Sequence, residues 1–299
     1  MIEHKRIVGS LALIVLLLLP VTGRGQGPPI HTDTPIMLGL EGRGVRTFVK
    51  VVRMDKLLQD GQEISNPMDS SMTVFIYPLV IPFNFTPTTQ IGVIVPFLTK
   101  DLKSNTGDNS QSGFGDATVF LKQLVLQIDR KAETFRVAVK GSAKFPTGDD
   151  DSTPPLGSGS VDYGFSAAAA WVKSHWGLYG ETIYVVNTSN GGADFGNRFA
   201  YNATVGYRLL PSRYTHYPQP QLNVYLELNG SVVAHTEVDG VENPDSGGST
   251  VFLSPGIQYV GGRRWLIEAS VQVPLSDEPN GTQLGTSWTA SLGTRVLIF

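Results

Sequence analysis

The sequence predicts an all-β protein: a transmembrane, antiparallel, up-and-down barrel of about twelve strands, closed by pairing strand 1 with strand 12. Three observations predict it. Segments of about ten to fifteen residues alternate apolar and polar side chains with period two. The connections between them are long, then short, then long again, and a secretory leader precedes the first. Soluble sandwiches also alternate, but nothing sorts their turns by length. An outer-membrane barrel places short turns on the periplasmic side and longer loops outside.

The leader comes first. Lys5 and Arg6 form a basic start, Ile7–Leu19 an apolar stretch, and Pro20 with Val21-Thr22-Gly23 a break and small-residue cleavage site. The apolar stretch is short for a membrane helix, which needs about 20 residues, so residues 1–23 are expected to be removed. There is no Cys, which excludes lipid attachment through cysteine, a disulfide framework and thiolate metal sites. The chain carries −3 in all, and loss of Glu3, Lys5 and Arg6 makes it more acidic still, which disfavours nucleic acid as a partner. About 275 mature residues could make two soluble domains, yet no linker divides the strand pattern.

Residues 24–44 form an N-terminal segment of extended character, with Pro28, Pro29 and Pro35 and an apolar Ile36–Leu40 patch. Without an apparent partner strand, it is expected at the periplasmic mouth or partly inside the lumen as a plug. A protease-sensitive linker is the alternative.

The barrel proper, residues 45–299, divides into Val45–Met54, Met72–Phe85, Thr89–Leu98, Gly113–Gln127, Phe135–Phe145, Val161–Lys173, Trp176–Val186, Phe199–Leu209, Leu222–Val232, Thr250–Tyr259, Trp265–Leu275 and Gly285–Phe299. The ninth shows the rule. Leu222, Val224, Leu226, Leu228 and Val232 lie on one face, and Asn223, Tyr225, Glu227, Asn229 and Ser231 on the other. These segments exceed the usual soluble strand of about 5–6 residues and suffice for a tilted span of about 9–11. Aromatic pairs near segment ends, such as Phe135/Phe145, Tyr163/Trp171 and Trp176/Tyr184, suit two interfacial girdles.

Two strands are irregular. Met72–Phe85 is apolar on both faces and contains Pro78 and Pro82, so a bulge or distorted pairing is expected there. The last strand ends in Phe299, like barrels whose terminal aromatic is read by the barrel-assembly machinery. Its apolar residues Trp288, Ala290, Leu292, Val296 and Ile298 lie on the opposite parity, with Arg295 on that of Phe299, a departure that either weakens the terminal signal or implies a bulge near Gly293.

Register then assigns the lumen. Arg46, Lys50, Asp116, Lys122, Arg136, Lys140, Asp162, Glu181, Arg208, Glu227 and Glu268 face inward, because a Lys or Arg facing lipid at the midplane costs about 2–4 kcal/mol. Twelve strands give a backbone diameter of roughly 24 Å, and side chains consume about half of it. The charges then form either a network that fills the lumen or a constriction that selects solutes. Val74, Ile76, Val80, Phe120 and Leu124 also face inward, where a water-filled pore would carry polar groups. Asp149, Asp150 and Asp151 form a candidate outer-loop cation site, with a solvated acidic loop as the plainer reading. A catalytic triad is not expected: only His235 is near the outer rim, with Asp239 and Ser249 in its loop.

Three stretches stand in order near the middle: Ser112-Gly113-Phe114-Gly115-Asp116-Ala117-Thr118-Val119-Phe120-Leu121-Lys122, Lys144-Phe145-Pro146-Thr147-Gly148-Asp149 and Leu156-Gly157-Ser158-Gly159-Ser160. In these stretches the chain resembles the meta-pathway phenol-degradation family of outer-membrane proteins. The resemblance implies a barrel in the cell outer membrane, associated with small hydrophobic or aromatic compounds. The expected function is a channel or transporter for such solutes, without cofactor or enzymatic activity; the alternative is a closed structural or surface-interaction barrel. Expected partners are outer-membrane lipid, lipopolysaccharide, the barrel-assembly machinery and a small-molecule solute.

Overall fold

The computed structural model describes residues 27–39, 42–216, 219–262 and 264–298. The export signal over 1–23, Gln26, Leu40 at the end of the apolar patch, and the terminal Phe299 lie outside the described residues.

Twelve long antiparallel strands form one closed sheet. They are β1 (Arg43–Gln59), β2 (Ser71–Asn84), β3 (Thr89–Lys103), β4 (Ala117–Arg130), β5 (Glu133–Phe145), β6 (Asp162–Lys173), β7 (Trp176–Val186), β8 (Arg198–Leu210), β9 (Gln221–Val233), β10 (Gly248–Val260), β11 (Trp265–Pro279) and β12 (Thr282–Ile298). Each pairs with its sequence neighbours, and β1 pairs with β12 from Arg43↔Ile298 to Gln59↔Thr282, which closes the barrel. Closure removes both sheet edges, so each strand of the wall has a hydrogen-bonding neighbour on either side without water. Two short strands extend the wall: Gln62–Ile64 pairs with β1, and Asn109–Phe114 with β3. Outside it, Ser189–Asn190, Ala193–Asp194, Glu237–Val238 and Val241–Glu242 join two outer loops in a small second sheet.

Burial runs opposite to that of a soluble protein. On β9, Leu226 is 50% exposed and its neighbour Glu227 0%; on β11, Val271 is 45% exposed and Gln272 6%. Apolar side chains stand on the outer surface and polar ones are enclosed, which is stable only where lipid replaces water outside. Tyr163, Phe165, Tyr184 and Phe199 edge this band toward the long loops, and Trp176 edges it toward the short turns.

The structure corrects several details. The segment Gly113–Gln127 is not one strand: it breaks at Gly115-Asp116, and β4 starts at Ala117. The predicted bulge at Pro78 and Pro82 is absent. β2 keeps an unshifted register against β3, with Pro78 opposite Pro96 and Pro82 opposite Gly92. On the β1 side the register is also constant, and the ladder simply omits rungs at the two prolines, which have no N–H to donate. No bulge lies near Gly293 either. The β1–β12 register shifts near Arg53 and Met54 instead. Gly293 stays in register because the Phe48 ring lies on it; a Cβ there would stand 2.3 Å from that ring. Arg295 therefore points inward, and the outward face of β12 carries Trp288, Leu292 and Ile298.

Candidate functional site

The N-terminal segment runs through the lumen, bonded to opposite walls at mid-height. Glu227, at the centre of β9, accepts three successive backbone N–H groups: Ile30 at 2.8 Å, His31 at 3.1 Å and Thr32 at 2.8 Å. The Thr32 and Thr204 hydroxyls add bonds at 2.8 and 3.1 Å. Consecutive N–H groups converging on one carboxylate form a backbone nest, which lets Glu227 be enclosed while fully hydrogen-bonded. On the same side Tyr225 donates to the Gly27 carbonyl at 2.5 Å and Gln258 to that of Pro28 at 2.9 Å. Arg295 donates to the Pro29 carbonyl at 2.6 Å, and Arg46 to that of Ile30. Both guanidinium groups also hold Glu268, at 3.0 and 3.1 Å.

The opposite wall holds Asp33. Its two oxygens take Lys122 of β4 at 2.6 Å and Lys140 of β5 at 2.7 Å, and its backbone N–H donates to Glu181 of β7 at 2.9 Å. Lys122 also reaches the Thr34 carbonyl. Burial alone would push the Asp33 carboxyl up; the two ammonium groups override this and hold it well below the ordinary carboxylate range. Ile30 packs with Ala170, Tyr179 and Tyr225, and Ile36 covers that cluster. Full burial of one such isoleucine is worth about 1.5–3 kcal/mol.

His31 gives this lock a pH dependence. Burial lowers its pKa from 6.5 to about 4, with the Glu227 charge opposing and Lys50 and Arg46 assisting. A released segment would regain the ordinary value and take up a proton that the docked one refuses. Docking is therefore strongest above pH 6.5 and weakens as pH falls toward about 4. Amide exchange at Thr32 reads this directly: its protection should decline across that window.

Sequence-predicted residues fall into three tiers. Arg46, Lys122, Lys140, Glu181 and Glu227 bind the segment at mid-height, and Glu268 holds the two arginines that reach it; Lys50 stands on the same inner face of β1 as Arg46. Arg136 pairs with Asp129 at 3.3 Å beside a short turn, and Arg208 lies over the Tyr214 ring near the next. Asp116 and Asp162 sit at the outer rim, both bound to Lys144. Asp116 is not a strand residue but the centre of a buckle. It accepts the Gly148 N–H at 3.0 Å, and the Ser158 N–H and hydroxyl at 2.9 and 3.0 Å. Burial opposes ionisation here; the Ser158 and Gly148 N–H groups outweigh it and lower the carboxyl. Gly148 and Gly157 cross so closely that a Cβ on either would stand 2.9 Å or less from the other's backbone. The three motif stretches thus meet at one point, tying a long outer loop to the break before β4.

The triple aspartate does not converge. Asp149 receives the Asp151 N–H, Asp150 receives the Asn190 side chain, and no metal-binding group of three or more occurs among the described residues. His235 bonds the Asn243 carbonyl and the Asn280 side chain rather than Asp239 or Ser249. Val74, Phe120 and Leu124 are enclosed on the inner face, with Ile76 and Val80 in register beside Lys50 and Arg46. Sequence reasoning left out Asp33 and Arg295. Arg295 had a signal, since it broke the outward apolar parity of the last strand; Asp33, in a segment without periodicity, had none.

A closed barrel that is apolar outside and charged within, crossed by its own N-terminal segment, is an outer-membrane β-barrel protein. The family model described as "Putative MetA-pathway of phenol degradation" matches residues 69–292, and the chain belongs to that family. The fold is also that of an outer membrane channel from Pseudomonas putida F1, at 13% identity and a TM-score of 0.67 over 92% of this chain and 100% of that one. The β domain of the Bordetella autotransporter BrkA is more distant, at 10% identity and 0.48 over 86% and 98%. No curated protein matches the chain.

Proposed function

We propose that this protein is a passive channel for small hydrophobic or aromatic solutes in the outer membrane, with residues 27–38 as a resident plug. The observation that carries the reading is the two-sided lumen. Strands β1–β4 turn Val52, Val74, Ile76, Val80 and Phe120 inward, while β9–β12 present Asn229, Ser254, Gln272 and Glu268. An apolar strip inside an otherwise polar bore offers a greasy solute a path that a water-filled pore does not. The family's phenol-degradation description supports the solute class, and the fold shared with an outer membrane channel supports passage. Lipid and lipopolysaccharide would face the apolar band, and the assembly machinery would insert it.

A second reading, a closed structural barrel, draws on the completeness of the plug's bonding. Growth on, and uptake of, radiolabelled phenol and toluene in a deletion strain separates the two. Passage predicts slowed uptake restored by the wild-type gene; unchanged uptake of both solutes favours the closed barrel.

A further inference from the structure

We infer that the lumen holds a binding site for the acidic head of an amphipathic aromatic solute, centred on Lys50; the inference rests on the channel reading above and narrows its solute class. In the mid-height belt the carboxylates are already committed. Glu268 has two arginines, Asp33 has two lysines, Glu181 shares Lys140, and Glu227 is filled by backbone N–H groups. Lys50 is the cation left over: it has neither an ion pair nor a hydrogen bond among the described residues, and it is partly buried.

Its surroundings are incomplete in the same direction. Lys50 stands directly across the β1–β12 ladder from Ser291, whose hydroxyl is buried without a partner. The Nε2 of His31, on the plug, is also buried and unpartnered, and it lies within electrostatic reach of Lys50. Buried polar atoms are nearly always satisfied, so two orphans beside an unpaired ammonium mark a place for a group not supplied by the chain. An ammonium and a hydroxyl both donate to a carboxylate or phenolate oxygen, and Nε2 of a neutral imidazole can do so in one tautomer.

On the opposite side of Lys50 the wall is greasy. Ile76 is its register partner on β2, and the next inward pair is Val52 with Val74. A planar apolar body can lie on these three side chains while its anionic end meets Lys50. An unsubstituted hydrocarbon would leave the three polar groups unsatisfied, and a sugar or inorganic anion would waste the apolar wall. The chemistry that uses both is an aromatic acid or phenolate.

Benzoate and benzyl alcohol share a ring and differ in the charge of the head. Calorimetric titration of the full-length mature protein in micelles at pH 7 compares them, with heat-modified gel mobility confirming a folded barrel. Benzoate should bind the wild type more tightly than benzyl alcohol. Lys50→Met should weaken benzoate about tenfold or more, the loss of a charged hydrogen bond, and leave benzyl alcohol within about twofold. Lys50→Arg should retain most of the benzoate affinity. Should Lys50→Met fail to fold, Ser291→Ala carries the test and should weaken benzoate selectively. Binding of both probes without preference, or benzoate affinity indifferent to these substitutions, overturns the Lys50 site and leaves the channel reading standing. Failure of both probes to bind, together with unchanged uptake in the deletion strain, overturns both.

Discussion

Deleting residues 27–38 should raise the ion conductance of the barrel in planar bilayers on the order of tenfold, because a bore of about half the barrel diameter then lies open. The segment supplies the backbone groups that meet Tyr225, Gln258, Arg295, Arg46 and Glu227 on one wall, and the Asp33 carboxylate that meets Lys122 and Lys140 on the other. Without it these charges face water and admit ions. The wall itself should persist, since none of its ladders includes residues 27–38. Asp33→Ala should give a smaller effect in the same direction, with brief openings, as it frees two lysines and leaves the Glu227 nest intact. Unchanged conductance in the deletion would assign closure to the outer loops tied down at Asp116.

Glu268→Ala should cost the barrel about 3–5 kcal/mol, the usual penalty for breaking an enclosed ion pair from one side. Glu268 is 1% exposed, accepts from both Arg46 and Arg295, and takes the Gln258 amide at 2.9 Å. Its loss leaves two guanidinium groups without a counter-charge, met by the Pro29 and Ile30 carbonyls and, for Arg46, the face of the Phe48 ring. Glu268→Gln, which keeps a hydrogen-bonding oxygen, should lose less. Denaturant unfolding in micelles, followed by tryptophan fluorescence, measures both. A loss below about 1 kcal/mol would place the cluster in the class of solvent-screened pairs.

The wall was legible because lipid imposes a rule on every span: one face apolar, the other free to carry charge. Leu226 and Glu227 obey it on adjacent positions, and so do Val271 and Gln272. Strand ends were less legible. β1 runs on to Gln59 and β3 to Lys103, above the bilayer, where the rule lapses and hydrophobic pattern stops marking the strand. The break at Asp116 was hidden because Gly113–Gln127 reads as continuous alternation; only the loop that folds back onto Asp116 interrupts it. The proline strand was read as more distorted than it is, since a ladder can skip rungs without changing register.

The contents of the lumen were half legible. Parity assigned Glu227, Glu268, Lys122 and Lys140 to the interior one by one. The partner shared by the two lysines was out of reach: Asp33 lies far from Lys140 in sequence and belongs to a segment whose extended backbone has no period. The prolines and the apolar patch of residues 24–44 suggested a plug, but they do not name the contacts. Arg295 shows the reverse case, a residue whose apparent misfit with its strand was itself the sign of an inward position.

Ile30, His31 and Thr32 lie inside the barrel with their N–H groups on Glu227. Hydrogen–deuterium exchange of these three amides in the folded mature protein at pH 7 tests this most directly. Slow exchange, comparable with the wall strands, is expected in the wild type, and rapid exchange in Glu227→Ala. Exchange as fast as that of a solvated peptide in the wild type would place the segment outside the lumen and contradict this arrangement.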